Sequence, residues 1–296
     1  MSDWVFPRGT AADGVWEVSL GPDSPAEVPG WAYTGLKVAT LAAGESVALP
    51  AGPLERLVIP LSGAFTVRVD GAEFALRGRH SVFAGPSDVF YSGVGTSLAV
   101  SSAGGGRVAI ASAPAQVPHP SRVVRAEEIP VELRGAGNCS RQVHNFGTPA
   151  VLEADRFIVC EVLTPAGNWS SYPPHKHDRD RDGETSLEEI YYFETQIAAG
   201  SSAPADVDAV GYQRVYASDE RPIDVTAEVR TGDVVLVPYG WHGPAMAAPG
   251  YDLYYLNVMA GPGPVRKWLI SDDPHHGWVR RTWEGRDVDP RLPFGA

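Results

Sequence analysis

Short β-prone runs, each closed by Gly, Pro, Ser or Asp, recur along this chain and confine it to an all-β fold. ESVALP, ERLVIPLSG, FTVRVDG, HSVFAG and SLAVSS form one set; FIVCEVLTP, EEIYYFE, GYQRVYAS, DVVLVP and YDLYYLNVMAG form a second. Side chains in such runs alternate between two faces, and neither set repeats its apolar residues at helical spacing. Between the sets lies AQVPHPSRVVRAEEIP, rich in Pro and charge, which reads as a linker around residues 115–130. A length of 296 residues suits two domains of ordinary size. The expectation is two jelly-roll barrels in tandem, residues 1–118 and 119–296.

A weak internal repeat points the same way. Gly78-RHSVFA-Gly85-Pro86 resembles Gly232-DVVLVP-Tyr239-Gly240, and Glu55-RLVIP aligns loosely with Glu189-IYYF. The first half has no histidine between Gly44 and Glu55, nor between Gly85 and His119. Only the second half is therefore expected to keep a full set of metal ligands, which leaves the first a structural or oligomerising role.

The formal charge of −12 comes without any basic cluster able to neutralise phosphates, so no nucleic-acid partner is expected. Cys139 and Cys160 make no CxxC, and two thiols in a chain this long indicate a reducing compartment. MSDWVFPRGTAADG lacks the pattern of a signal peptide, and no apolar run is long enough to span a bilayer. A cytoplasmic protein with no membrane partner is expected.

Residues 175–194, HKHDRDRDGETSLEEIYYFE, spell two metal sites that share Glu189. From Asp178 to Glu189 the run matches the calcium loop of an EF-hand, with Asp178, Asp180, Asp182 and Gly183 in register. An EF-hand needs a helix on each side. Pro173 and Pro174 exclude one before the loop, and IYYFE after it is β-prone. The alternative uses His175 and His177, which share a strand face while Lys176 points away, with Glu189 opening the next strand. His242 then follows a Pro-x-Gly turn at the end of GDVVLVPYGWH. Three imidazoles and a carboxylate suit zinc, nickel, manganese or iron(II) and leave positions open for substrate. Glu188 competes with Glu189, which is preferred because it shares a face with Tyr191 and Phe193.

GNWSSYPPHKH with Glu189, and GDVVLVPYGWH, resemble the two cupin motifs, the first pairing His-x-His with a glutamate and the second Pro-x-Gly with a histidine. Here eleven residues separate His177 from Glu189, so DRDRDGETS reads as an inserted loop. The asparagine expected after His242 is absent. More closely, GNCSRQVHNF, SSYPPHKHD, LEEIYYFE, YQRVY, VPYGWHGPAMAAPGYDLYYLNVMAGP and DPHHGWV resemble the 5-deoxy-glucuronate isomerases, the IolB family of myo-inositol catabolism. That family is a two-cupin family related to the 4-deoxy-5-hexosulose-uronate isomerase of pectin breakdown.

The resemblance implies conversion of 5-deoxy-D-glucuronate to 2-deoxy-5-keto-D-gluconate through an enediolate stabilised by a divalent metal. Redox inertness favours Zn²⁺, with Mn, Ni or Fe as the other ions. The partner expected is a small sugar acid, and the assembly a homo-oligomer. Tyr255 and Gln213 are the candidates for polar contact or proton relay, and Tyr191 shares the face of Glu189. The substrate carboxylate calls for a cation, with Arg141, Arg214 and Lys267 available and the first two preferred. Strand parity sorts these residues into faces without saying which face is inward. An iron(II) cupin dioxygenase and a non-catalytic sugar-binding cupin are the competing readings.

Overall fold

The computed structural model describes residues 3–25, 28–218 and 221–295. Strands dominate, and the helical elements among the described residues are short 3-10 turns. The expected pair of β-barrels is present. The first half forms a nine-stranded sheet that curls on itself, and the second forms a seven-stranded and a six-stranded sheet packed face to face.

The two halves repeat one strand order. In the first, Val89–Ser92, Leu54–Val69, Gly106–Pro114, Gly35–Leu41 and Val18–Leu20 lie side by side. In the second, Val234–Val237, Glu188–Ile197, Tyr251–Ala260, Ile158–Thr164 and Arg141–Gly147 do the same. Each half also lends a strand to the other. Val5–Phe6 pairs with Val234 and Val235 of the second sheet, whereas Arg122–Val124 pairs with Val89–Tyr91 of the first. The chain thus leaves the first sheet only after Val124.

Two expectations need correction. HSVFAG is not a strand: Val82–Ala84 forms a 3-10 turn capped by Ser81, and the counterpart of Val234–Val237 is Val89–Ser92. ERLVIPLSG and FTVRVDG are not separate strands but one, Leu54–Val69, bent by register shifts beside Pro60 and Gly63. Gly63 has φ +86, and a Cβ there would lie 2.4 Å from the Gly105 carbonyl oxygen, so only glycine passes this bend.

Three apolar cores explain why so many runs are apolar on both faces. Val58, Phe65, Val67 and Ile110 fill the first barrel, and Val162, Phe193, Val215, Leu253 and Met259 the second. The third core lies between the barrels, where Leu57, Ile59 and Tyr91 meet Val159, Leu163, Ile190, Tyr192 and Leu256. A strand such as Glu188–Ile197 therefore has no solvent face through its buried stretch, and its sequence loses the polar alternation of an exposed sheet.

Polar groups inside the interface are paired. Glu55 accepts the backbone N–H groups of Asp155, Arg156 and Phe157 at 2.8, 2.7 and 2.9 Å, and the Tyr91 hydroxyl at 2.9 Å. Reciprocally, Glu188 accepts those of Ala32, Tyr33 and Thr34 at 3.2, 2.5 and 2.7 Å. Glu55 thus corresponds to Glu188 and not to Glu189. Deeper in, Arg79 of the first half grips Glu161 of the second with bonds of 2.6 and 2.7 Å, and His144 and Tyr254 complete the carboxylate.

Burial opposes ionisation of Glu161, but Arg79 and then His144 outweigh it and hold its pKa at about 2, below the usual 4.5. Its stabilising contribution is fully present above about 4.5 and is lost as pH falls through about 2. Glu161→Ala strands the Arg79 charge and is expected to cost ~3–5 kcal/mol in denaturant unfolding at neutral pH. The difference from wild type should shrink as the pH is lowered toward 2.

Candidate metal centre

The short strand His175–Lys176 pairs with Trp241–Ala247 and sets His175 directly opposite His242. Close approach of this second strand depends on Gly243: at φ +100, a Cβ there would sit 1.8 Å from the Ser171 carbonyl oxygen. His177 follows on the same side as His175. Glu189 enters from the neighbouring sheet, at the start of the strand Glu188–Ile197, where Glu188 faces the other way. One ring nitrogen from each histidine lies within 4.8 Å of the other two, and all three residues are buried.

Each imidazole turns Nδ1 to a backbone carbonyl: His175 to Pro173 at 3.4 Å, His177 to Leu187 at 3.1 Å and His242 to Gly240 at 3.3 Å. A carbonyl can only accept, so Nδ1 carries the hydrogen and Nε2 is left with its lone pair. Nε2 of His177 and Nε2 of His242 both stand 3.1 Å from the same oxygen, Oε2 of Glu189. Although close to that oxygen, the His242 nitrogen is buried without a hydrogen bond of acceptable geometry. Lone pairs crowding a carboxylate oxygen repel one another unless a cation lies among them. This donor set fits a divalent metal. Glu189 is not one of the three mutually close donors but meets two of them.

Ionisation of the site is set by burial and by these neighbouring groups. Burial pushes His175 well below the ordinary imidazole value, and the neighbouring His242 and His177 push it further. Burial also acts on His177, yet Glu189 overcomes it and raises that imidazole. Burial works against the Glu189 carboxylate as well, but His177 and His242 hold its pKa at about 2.

Lys176 points away from the imidazoles, as its parity requires. Its ammonium bonds Asp178 at 2.6 Å and Glu184 at 2.7 Å. Asp178 in turn accepts the Gly240 N–H at 2.9 Å, which ties the acidic insertion to the turn that carries His242. Asp180 and Asp182 are exposed. The calcium spelling is thus taken apart: its first carboxylate is bound to an internal ammonium, its next two face water, and its last faces the imidazoles.

A cavity of about 250 Å³ opens beside His175 and Glu189, walled in part by Tyr191, Tyr255, Ser171 and Arg141. Ser171 bridges the two phenols at 3.2 and 3.1 Å, and Tyr255 also donates to Ser170 at 2.9 Å. The structure brings Tyr191, Tyr255 and Arg141 to the cavity that His175 and Glu189 also line. It does not bring Gln213 or Arg214 there. Gln213 is buried within the barrel but does not line the cavity, and both its amide atoms are unbonded. Arg214, on the opposite strand face, bonds Asp224, Val215 and Val225 at the barrel's outside, and Lys267 is exposed. Sequence reasoning missed Arg134, Arg280, Trp268 and Ser171 in the wall. Ser171 adopts φ +47, a left-handed backbone that its sequence context does not announce.

The first barrel has no such centre: among the described residues, the three histidines form the one cluster of possible ligands. Where Glu189 follows Glu188, Arg56 follows Glu55. Its buried guanidinium faces the first barrel and bonds the carbonyls of Thr96 and Pro50.

Comparison with known proteins agrees with this architecture. The family model described as KduI/IolB matches residues 7–279. The chain belongs to the KduI/IolB family. It is 41% identical over 293 residues to the 5-deoxy-glucuronate isomerase of Geobacillus kaustophilus, covering 95% of this chain and 97% of that one. The 5-deoxy-glucuronate isomerase of Bacillus subtilis strain 168 is 38% identical over 250 residues, 83% of this chain and 88% of its own. Among solved structures, an IolB-like protein of Salmonella typhimurium superposes with a TM-score of 0.82 at 35% identity, covering 94% of this chain and 99% of that one. Oxalate decarboxylase of Lactobacillus farciminis shares the two-cupin fold alone, with a TM-score of 0.61 at 11% identity over 92% of this chain and 89% of that one. Among the described residues of this family member, no helix is long and apolar enough to cross a membrane.

Metal analysis separates the two parses of residues 175–194. His242→Ala is expected to lower bound metal at least tenfold per chain, whereas Asp180→Asn with Asp182→Asn should leave the metal content unchanged.

Proposed function

We propose that this chain is a metal-dependent aldose–ketose isomerase that converts 5-deoxy-D-glucuronate to 2-deoxy-5-keto-D-gluconate in myo-inositol catabolism. The observation that carries the reading is the match of nearly the whole chain to curated 5-deoxy-glucuronate isomerases. The site supports it with three imidazoles and a carboxylate beside a cavity of hydroxyl and guanidinium groups. His175, His177, His242 and Glu189 are the proposed ligands, and Zn²⁺ is the proposed ion because the reaction needs no change of oxidation state. Residues 1–118 are proposed as the metal-free domain and residues 119–296 as the metal-binding one.

The reaction moves a hydrogen from C2 to C1 and a proton from the C2 hydroxyl to the aldehyde oxygen. When bound, a divalent metal supplies a Lewis acid that draws negative charge onto those two oxygens. The protein supplies the proton path. Burial raises the Tyr255 hydroxyl above its usual value and Tyr191 well above, so both stay protonated at neutral pH. Tyr255 with Ser171 can then pass the proton from one substrate oxygen to the other without either phenol ionising outright.

The test is turnover. Zinc-loaded wild type incubated with 5-deoxy-D-glucuronate is expected to form the ketose, and His242→Ala should fall at least 100-fold in kcat. Absence of product from wild type, or full activity in the variant, contradicts the reading. Tyr255→Phe is expected to lose 10²–10⁴-fold in kcat with little change in metal content.

A further inference from the structure

Three arginines line the cavity, and their charges are not equivalent. Arg134 bonds both oxygens of Glu132, at 2.9 and 2.7 Å. Arg280 grips both oxygens of Asp272, at 2.5 and 2.6 Å. Each is neutralised by its own carboxylate. Arg141 has no acidic partner among the described residues. It opens the strand Arg141–Gly147, is 5% exposed, and spends one N–H on the Cys139 carbonyl at 3.0 Å. Its guanidinium lies over the Trp283 ring, 5.4 Å from the centroid.

An unneutralised buried cation is costly, and proteins keep one where an anion arrives. The cost is visible in the titration: burial, joined by repulsion from Arg134 and Arg280, pulls Arg141 down to about 10 despite the attraction of Tyr255. Even so it stays charged at neutral pH. Close by, the indole N–H of Trp268 in the same wall is buried with no acceptor. The cavity therefore offers an unpaired guanidinium and an unpaired N–H donor, and the carboxylate it holds, Glu189, is already committed to His177 and His242.

We propose that Arg141 binds the carboxylate of the substrate and thereby turns the aldehyde end toward the histidine cluster. The site then selects aldoses that carry a carboxylate at the end remote from the reacting carbonyl, and rejects their neutral counterparts. This assignment rests on the isomerase reading above. Arg134 and Arg280 are kept from competing for the anion by their own carboxylates.

The experiment compares an acid with its neutral analogue in the zinc-loaded enzyme. For Arg141→Met, kcat/KM toward 5-deoxy-D-glucuronate is expected to fall at least 100-fold. Toward 5-deoxy-D-glucose, which has a hydroxymethyl group in place of the carboxylate, it should change less than about threefold. Arg141→Lys keeps the charge without the planar fork and should retain part of the preference for the acid. Equal losses on both sugars in both variants, with metal content and thermal stability unchanged, overturn the assignment, as does no loss on the acid. Failure of wild type to turn over the acid would sink the isomerase reading instead. Calorimetric binding of 5-deoxy-D-glucuronate to wild type and Arg141→Met still decides the role of Arg141, and equal affinities refute it.

Discussion

The face-to-face packing of two sheets, one from each half of the chain, is the constraint on which the rest of the structure depends. It buries both faces of the central strands, so every inward residue has a neighbour that must also be satisfied in a dry environment. Glu55 and Glu188 show how this is met: each carboxylate crosses the interface and gathers three successive N–H groups from the other half. The buried Arg79–Glu161 pair locks the centre. Because Glu188 is held in this way, its neighbour Glu189 is fixed on the opposite face and points into the second barrel. The carboxylate that meets His177 and His242 is positioned by the interface behind it.

This doubling of burial also governs how much could be read from the sequence. The duplication of a β-barrel and the His-x-His pair were legible, because β-runs bounded by Gly and Pro and a period of two survive any tertiary context. The choice of Glu189 over Glu188 followed from parity with Tyr191 and Phe193, and the structure places those three on one face. The internal alignment of Glu55 with Glu189 was off by one residue, and in a strand one residue exchanges the faces. Apolar runs such as IYYF and DLYYL hide that slip, since neither face is marked polar.

Depth along a strand was illegible for a related reason. Parity set Gln213 and Arg214 on opposite faces, but it says neither which face is inward nor how far a side chain lies from the cavity. Arg214 fell on the outer face, and Arg141 reached the cavity from a strand whose role no local pattern disclosed. Ser171 depends on a left-handed turn set by the approach of Gly243, a long-range contact. The acidic insertion was legible in composition only. Its folding around Lys176 gives an intramolecular cation the place that the spelling reserves for calcium.

The two parses of residues 175–194 make opposite statements about where a metal sits, and one measurement separates them directly. An anomalous difference map collected at the absorption edge of the bound metal, on crystals of the protein as purified, locates the ion without reference to activity. The account predicts a single strong peak about 2.0–2.2 Å from one nitrogen each of His175, His177 and His242 and from a Glu189 oxygen. A peak among Asp178, Asp180 and Asp182, or no peak at the imidazoles in metal-replete crystals, would contradict it.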